Sequence, residues 1–322
     1  MVALLFKKCY YKIMNKNKTK KLWITMLAYD LASTNTLDFY ARASKYGIEL
    51  RLLVADLCKI VDGKLYYLGE LILEKPDIIL ARDKVFYKTF ANYIYGLGAR
   101  VINIPPGRTL GFDKYSAHKF LEDKDVLQPK TIRHMQMCDY QDVVAAVGDP
   151  FVAKTIIGAG GTGVFLIENE EQFNNLFKKY QIKDYLFQEY IKASHGHDLR
   201  VFVINNRVTA AVRREGKSDF RANLSLGGKG TVVKLSKKQK NTALKVASLL
   251  HGECVGLDFL LDGDKLIFCE VNTAPQNTLC WLPGHELDHK FEFHCMDLIN
   301  DIFDNEFGYK PSKKAKLKNK GY

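Results

Sequence analysis

Apolar and polar positions along the first hundred residues follow two rhythms in turn. LWITML (22–27), IELRLLVAD (48–56) and PDIILA (76–81) are short apolar runs of strand length, while TLDFYARASKYG (36–47) and VFYKTFANYIYGLG (85–98) repeat at helical spacing and reach glycine at their ends. VINIPP (101–106) adds a short strand stopped by a double proline. Alternating strands and helices predict a small parallel-sheet α/β lobe over about 22–106.

The rhythm changes after Gly107. DKYSAHKFLEDKD (113–125) and EEQFNNLFKKY (170–180) read as helices, with PKTI, DPFVAKTII and GVFLIEN as strands, giving a central unit over 107–185. From 186 to 308 strands dominate: YLFQEYI, DLRVFVINN, RVTAAVRRE and TVVKL, a helix over 237–252, the hairpin GLDFLLDGDKLIFCEVN, and a closing helix over 289–303. A chain of 322 residues has room for these units, since single cores stop growing at about 250–300 residues.

Composition excludes some functions. The 26% charged, 47% hydrophobic chain has no run near the roughly 18 apolar residues of a membrane span. Its net charge of +12 invites a nucleic-acid reading, but seven lysines lie in residues 1–21 and six in 310–322, with no acid in either segment. The remaining 35 basic residues face 36 acidic ones, so the body is nearly neutral. The ends (1–21 and 309–322) read as solvated, disordered tails, with weak RNA or ribosome contact as the sharper alternative. Met14 is an alternative start to Met1. Seven cysteines without a C-x-x-C pair favour reduced thiols in a cytoplasmic setting.

Chemistry concentrates in four places. The loop IIGAGGTGVF carries Gly158, Gly160, Gly161 and Gly163 between two strands. It therefore reads as a phosphate-covering flap, with an ordinary flexible hairpin tip as the bland alternative, rather than a dinucleotide fingerprint, which needs a helix to follow. Lys154 lies just upstream as a phosphate partner. Arginines at 200, 213, 214 and 221 offer forks for anions, against a background of ordinary sheet salt bridges. Gln188, Glu189 and Tyr190 lie where a strand enters a linker and backbone amides are available to a base. In the hairpin, Glu270 and Asn272 share a face, and a connection with an odd number of residues centred on Asp264 would set Asp258 opposite Glu270. Two such carboxylates, if partly buried, need a cation between them, and oxygen ligands suit Mg²⁺; the bland alternative is an edge hairpin whose acids face solvent. Cys269, next in sequence to Glu270, is expected on the opposite face.

Taken in order, VAK, the glycine flap, QEYI, DLR, DFRANLSLGG and GLD…CEVN resemble the ATP-grasp superfamily, and within it the RimK-type glutamate ligases, over about 107–280. The resemblance implies an ATP-grasp fold behind the α/β N-terminal lobe, and a ligase that forms an amide through an acyl phosphate. It implies ATP at Lys114, Lys154 and the flap, with Glu189, Tyr190, Ile191 and Asp198 in the nucleotide pocket. Asp258, Glu270 and Asn272 are implied to hold two Mg²⁺ ions, with Mn²⁺ as a substitute, and Arg200, Arg221 and Asn223 to act at the acyl phosphate. The substrates implied are an amino acid, glutamate favoured, and a carboxylate on a peptide, protein or small molecule. A peptide-tailoring ligase, a non-catalytic ATP-binding regulator and a homo-oligomer remain open. The segment after EVN reads TAPQ where the family continues with a small residue, proline and glycine.

Overall fold

The computed structural model describes residues 19–26, 34–82, 96–103, 113–133, 139–156, 163–179, 185–217, 220–275 and 290–309, with isolated positions at 90, 93, 110, 111, 161 and 282. The lysine-rich ends beyond 19 and 309, Met14, Gly158, Gly160 and most of the helix expected over 85–98 lie outside the described residues.

The N-terminal lobe opens with β1 (Lys20–Met26), α1 (Thr34–Lys45) and β2 (Ile48–Val54). A meander that the sequence reading passed over follows, β3 (Cys58–Val61), β4 (Lys64–Tyr67) and β5 (Glu70–Leu71), before β6 (Ile78–Ala81) and β7 (Arg100–Ile102). Strands β2, β1, β6 and β7 form a parallel sheet in that order. Because both faces are covered, β1 is buried almost throughout: Leu22, Ile24 and Met26 face one core, Trp23 another.

The central lobe contains α2 (Lys114–Leu121), β8 (Thr131–Arg133), α3 (Tyr140–Val147), β9 (Phe151–Thr155), β10 (Val164–Ile167), α4 (Glu170–Lys179) and β11 (Tyr185–Glu189). Its antiparallel sheet runs β10-β9-β11-β8. Phe151, Tyr185 and Phe187 pack with Tyr140 of α3 and Phe173 of α4 in an aromatic core. Strand alternation sends Lys154 and Gln188 to the other face.

In the C-terminal lobe, β12 (His197–Ile204), β13 (Arg207–Glu215), β14 (Lys229–Val232), α5 (Lys237–Leu249), β15 (Cys254–Asp262), β16 (Lys265–Asn272) and α6 (Lys290–Asn305) appear in that order. The five-stranded antiparallel sheet is ordered β14-β13-β12-β15-β16. One face carries Leu199, Val201, Leu257 and Phe259 and is covered by Ala243 and Val246 of α5 and Leu121 of α2. α5 starts on a capping box in which Ser236 and Gln239 satisfy each other's backbone amides.

α6 ties the ends of the molecule together. Its Phe291, Met296, Ile299 and Phe303 share one cluster with Leu22 and Ile24 of the N-terminal sheet and with Phe202 and Ile204 of β12. Tyr46 donates to Asp297 Oδ1 at 2.6 Å across the same seam. Asn103 adds a second tie. Its amide donates to the carbonyls of Cys254 (2.8 Å) and Thr273 (2.6 Å) and accepts from the backbone N–H groups of Glu253 and Cys254, both at 2.9 Å.

Candidate nucleotide and metal site

The hairpin reaches the expected pairing by an unexpected route. Asp262 pairs with Lys265, so the turn is the two residues Gly263 and Asp264, not an odd-numbered loop centred on Asp264. A regular ladder from that turn would set Asp258 opposite Cys269. Instead the register shifts between Asp258 and Phe259, and Asp258 pairs with Glu270 and Gly256 with Asn272. The irregularity is a β-bulge, which inserts one extra residue and re-aims its neighbours. The Cys269 sulfur lies 3.4 Å from Lys154 Nζ, which reaches it from the central lobe.

Asp258 sits in a buried network of four charges. Arg200 grips it bidentately through Nε and Nη2, each at 2.7 Å, and Arg214 Nη2 donates to Oδ2 at 2.9 Å. Arg214 also grips Asp198, with Nε to Oδ1 at 2.7 Å. Cross-strand registry dictates these contacts: Asp198 pairs with Arg214, and Arg200 pairs with Asp258. Burial pushes the Asp258 carboxyl up, but the two guanidinium groups outweigh it and hold the group low, at about 2. Burial likewise pulls Arg214 down, and Asp258 and Asp198 more than reverse it. The cation that the paired carboxylates require is thus supplied by the protein beside Asp258. Arg213, by contrast, forms a surface pair with Glu215 at 3.2 Å.

The donor set still suits a hard divalent ion. Glu270 lies directly across from Asp258, half-buried, and Asn272 follows two residues on along the same strand. Among the described residues Asp258 Oδ1 accepts a single hydrogen bond, from Arg200 Nε, which leaves it a lone pair. Asn272 Oδ1 accepts from the N–H of Ala274 at 3.1 Å. Carboxylate and amide oxygens of this kind, with few protein ligands, are what Mg²⁺ takes alongside substrate phosphates.

The central lobe brings its own residues to this region. Lys154 reaches Cys269, and Lys114, at the first position of α2, approaches the Thr155 carbonyl at 3.5 Å. Arg221 Nη1 donates to the Gly161 carbonyl at 2.7 Å, and a Cβ at Gly161 would lie 2.6 Å from Asn223 Oδ1. Gly161 has φ +77°, so a side chain there is both strained and sterically excluded. The described half of the flap therefore meets two of the residues expected at the acyl phosphate. Glu189 accepts from the Lys130 N–H at 3.2 Å, Tyr190 hydrogen-bonds His195, and Ile191 follows at the end of the strand.

Sequence reasoning missed a buried polar group between the lobes. His118 on α2 lies 3.0 Å from Gln128 Oε1 and 3.0 Å from the Cys269 carbonyl. Gln188, 1% exposed, contacts His118 at 2.9 Å and donates to Thr131 Oγ1 at 2.8 Å, and its Oε1 has no partner. Burial first, then the Lys154 ammonium, lowers His118 to about 4, so the ring is neutral. A helix-face histidine carries no local signal of such a role, because its partners Gln128, Gln188 and Cys269 come from other segments.

Comparison with known proteins bears on the family and the fold. Residues 111–290 match the model of the RimK-like ATP-grasp domain. The chain is 33% identical over 183 residues to a probable alpha-L-glutamate ligase 1 of Shewanella denitrificans, spanning 56% of this chain and 62% of that protein. It is 31% identical over 219 residues to a probable alpha-L-glutamate ligase of Vibrio atlanticus, spanning 66% and 73%. Among solved structures, a RimK domain ATP-grasp protein from Sphaerobacter thermophilus superposes with a TM-score of 0.64 at 15% identity, over 87% of this chain and 99% of that one. No described helix is long and apolar enough to cross a membrane. With more than half of its length matched by that family's model, the chain belongs to the RimK-like ATP-grasp family.

Proposed function

We propose that the protein is a Mg-ATP-dependent carboxylate–amine ligase that adds glutamate, or another amino acid, to a carboxylate on a peptide, protein or small molecule. The observation that carries this reading is the Asp258–Glu270 pairing, with Asn272 alongside and Lys154 facing it. Glutamate is favoured as the amine because the relatives from Shewanella and Vibrio bear the name of a glutamate ligase.

In the proposed reaction the acceptor carboxylate attacks the γ-phosphorus of ATP, giving an acyl phosphate and ADP. The amine nitrogen then attacks the acyl carbon, the C–O bond to phosphate breaks, and the amide forms as the amine loses a proton. Such chemistry asks the protein for positioning and fixed positive charge. Lys114 and Lys154 hold phosphate oxygens, Gly161 and Gly163 close over them, and Glu189, Tyr190 and Ile191 line the base and ribose. Asp198 keeps Arg214 aligned at the pocket's edge. Glu270, Asn272 and the spare lone pair of Asp258 hold Mg²⁺, which neutralises phosphate charge. Arg200 spends Nε and Nη2 on Asp258 and offers Nη1 to the acyl phosphate, joined by Arg221 and Asn223.

The test is ADP release from the full chain with Mg-ATP, pools of amino acids and candidate carboxylates, and mass spectrometry of the product. Amino-acid-dependent turnover is expected, falling by about 10²-fold or more in Glu270→Gln. Nucleotide binding without turnover across broad pools would instead mark a regulatory protein.

A further inference from the structure

Arg82 follows directly on the carboxyl end of β6, and the parallel sheet changes direction there: from β1 the chain moves to β2 on one side and later to β6 on the other. Ligands of open α/β sheets bind in the crevice outside the carboxyl ends at such a switch point. The Arg82 N–H donates to the Thr25 carbonyl at 3.0 Å, which fixes its backbone to β1. Its guanidinium lies between two aromatic rings, 5.3 Å from the centroid of Phe39 and 5.7 Å from that of Phe291.

Among the described residues this guanidinium makes no ion pair and no hydrogen bond, and its Nε is buried without a partner. The hydroxyl of Thr25, in the neighbouring strand, is likewise buried and unpartnered. A fork held in place by two rings has already lost much of its conformational freedom, and a half-buried cation whose Nε is shut off from water gains from an anion. Glu292, buried on α6, has an interaction of its own, and the Cys295 thiol lies 3.6 Å from that of Cys254. Among the described residues no anion pairs with this fork, which accepts a carboxylate bidentately.

Its position relative to the charged network indicates what that anion belongs to. The Phe291 ring lies 6.0 Å from that of Phe202, and Phe202 follows Arg200 by two residues on the same face of β12, roughly 7 Å along the strand. One row of aromatic side chains therefore separates Arg82 from the residues that grip Asp258.

We infer that Arg82 is a substrate-binding residue that holds a carboxylate of the amino-acid or peptide substrate at the N-terminal lobe, while the reacting group lies against the hairpin. The carboxylate's identity as substrate rests on the ligase reading above; the anion site itself rests on Arg82 and its surroundings. Two sources share the chemistry, the incoming amino acid and the acceptor's own chain end.

Calorimetry on the full chain separates them. The titrants are L-glutamate and an N-acetylated peptide with a free C-terminal glutamate, each with and without saturating Mg-AMPPNP. One of them is expected to bind the parent chain and to weaken about 30-fold or more in Arg82→Met, and less in Arg82→Lys, while AMPPNP affinity stays within about twofold. Arg82→Lys retains the charge and serves if the Met variant fails to fold. The inference is overturned if both titrants are indifferent to the variants, if neither binds the parent chain, or if AMPPNP affinity falls by the same factor. If the parent chain ignores AMPPNP, the ligase reading fails and the nucleotide-free titrations alone decide Arg82.

Discussion

Asp198, Arg200, Phe202 and Ile204 occupy one face of one strand, yet they belong to two different environments. Phe202 and Ile204 lie under α6 in an apolar cluster that continues into the N-terminal sheet, whereas Asp198 and Arg200 enter the buried charge network. β15 divides in the same way, with Cys254 in the apolar cluster and Asp258 among the arginines. The backbone ladder is continuous across the boundary. The contrast teaches that the sheet supplies registry throughout, and that side-chain identity alone turns one end into packing and the other into chemistry. Each end has a distinct failure: the apolar end loses stability when trimmed, and the charged end loses both stability and ligand.

Arg214→Met tests the charged end with the largest expected effect. The substitution leaves Asp198 without its bidentate partner in a site where Arg214 is 3% exposed, and Asp258 keeps only Arg200. Removing one member of a buried pair costs about 3–5 kcal/mol. Denaturant unfolding is expected to register that loss, and Mg-AMPPNP affinity to fall with it. Met296→Ala, in the fully buried centre of α6, tests the apolar end. Its expected cost is comparable or slightly smaller, about 2–5 kcal/mol, from lost transfer energy and the cavity left behind. Nucleotide affinity should not move. A fall in Mg-AMPPNP binding in Met296→Ala equal to that in Arg214→Met would erase the distinction between the two ends.

Much of this was legible before the structure. The strand-rich C-terminal lobe and the hairpin that carries two carboxylates follow from alternation and turn residues, because one buried face imposes a period of two. Arg214 stood in view as one of four arginines, but its partners depend on pairing β12 with β13, a long-range registry that local pattern does not carry. The bulge at Cys269 was invisible for a related reason: both the regular and the bulged ladder satisfy the same alternation nearby. The β3–β5 meander was missed although Asp62-Gly63, with φ +49° and +70°, is a strong hairpin signal. Arg82 gave no signal at all, since its two rings come from helices distant in sequence.

His118 extends the comparison to pH. Its folded value is about 4, whereas an unfolded histidine titrates near 6.5. Between those values the unfolded chain binds a proton that the folded chain does not, so stability falls as pH drops from about 6.5 towards 4. The full difference is on the order of 3 kcal/mol. His118→Gln removes the group, and the variant's unfolding free energy should lose less than the parent's over that window. Asp258 behaves oppositely in range: held at about 2, it stays ionised through the whole window, and its contribution fades only below an unfolded value near 4. A parallel pH profile for parent chain and His118→Gln would refute the neutral, buried histidine.

The smallest effect addresses how the hairpin finds its register. Gly263 has φ +58° and open space around a would-be Cβ, so Gly263→Ala meets backbone strain without a clash. The expected cost is about 1 kcal/mol. If the bulge at Cys269 fixes the Asp258–Glu270 pairing independently of the turn, Mg-AMPPNP affinity stays at the parent value despite that loss. If the turn instead drives the register, a slipped ladder would separate the two carboxylates, and nucleotide affinity would fall far more than 1 kcal/mol of strain explains. Measuring both quantities on one variant therefore distinguishes a site held by the bulge from a site held by the turn, which are the two ways this ribbon could align its oxygens.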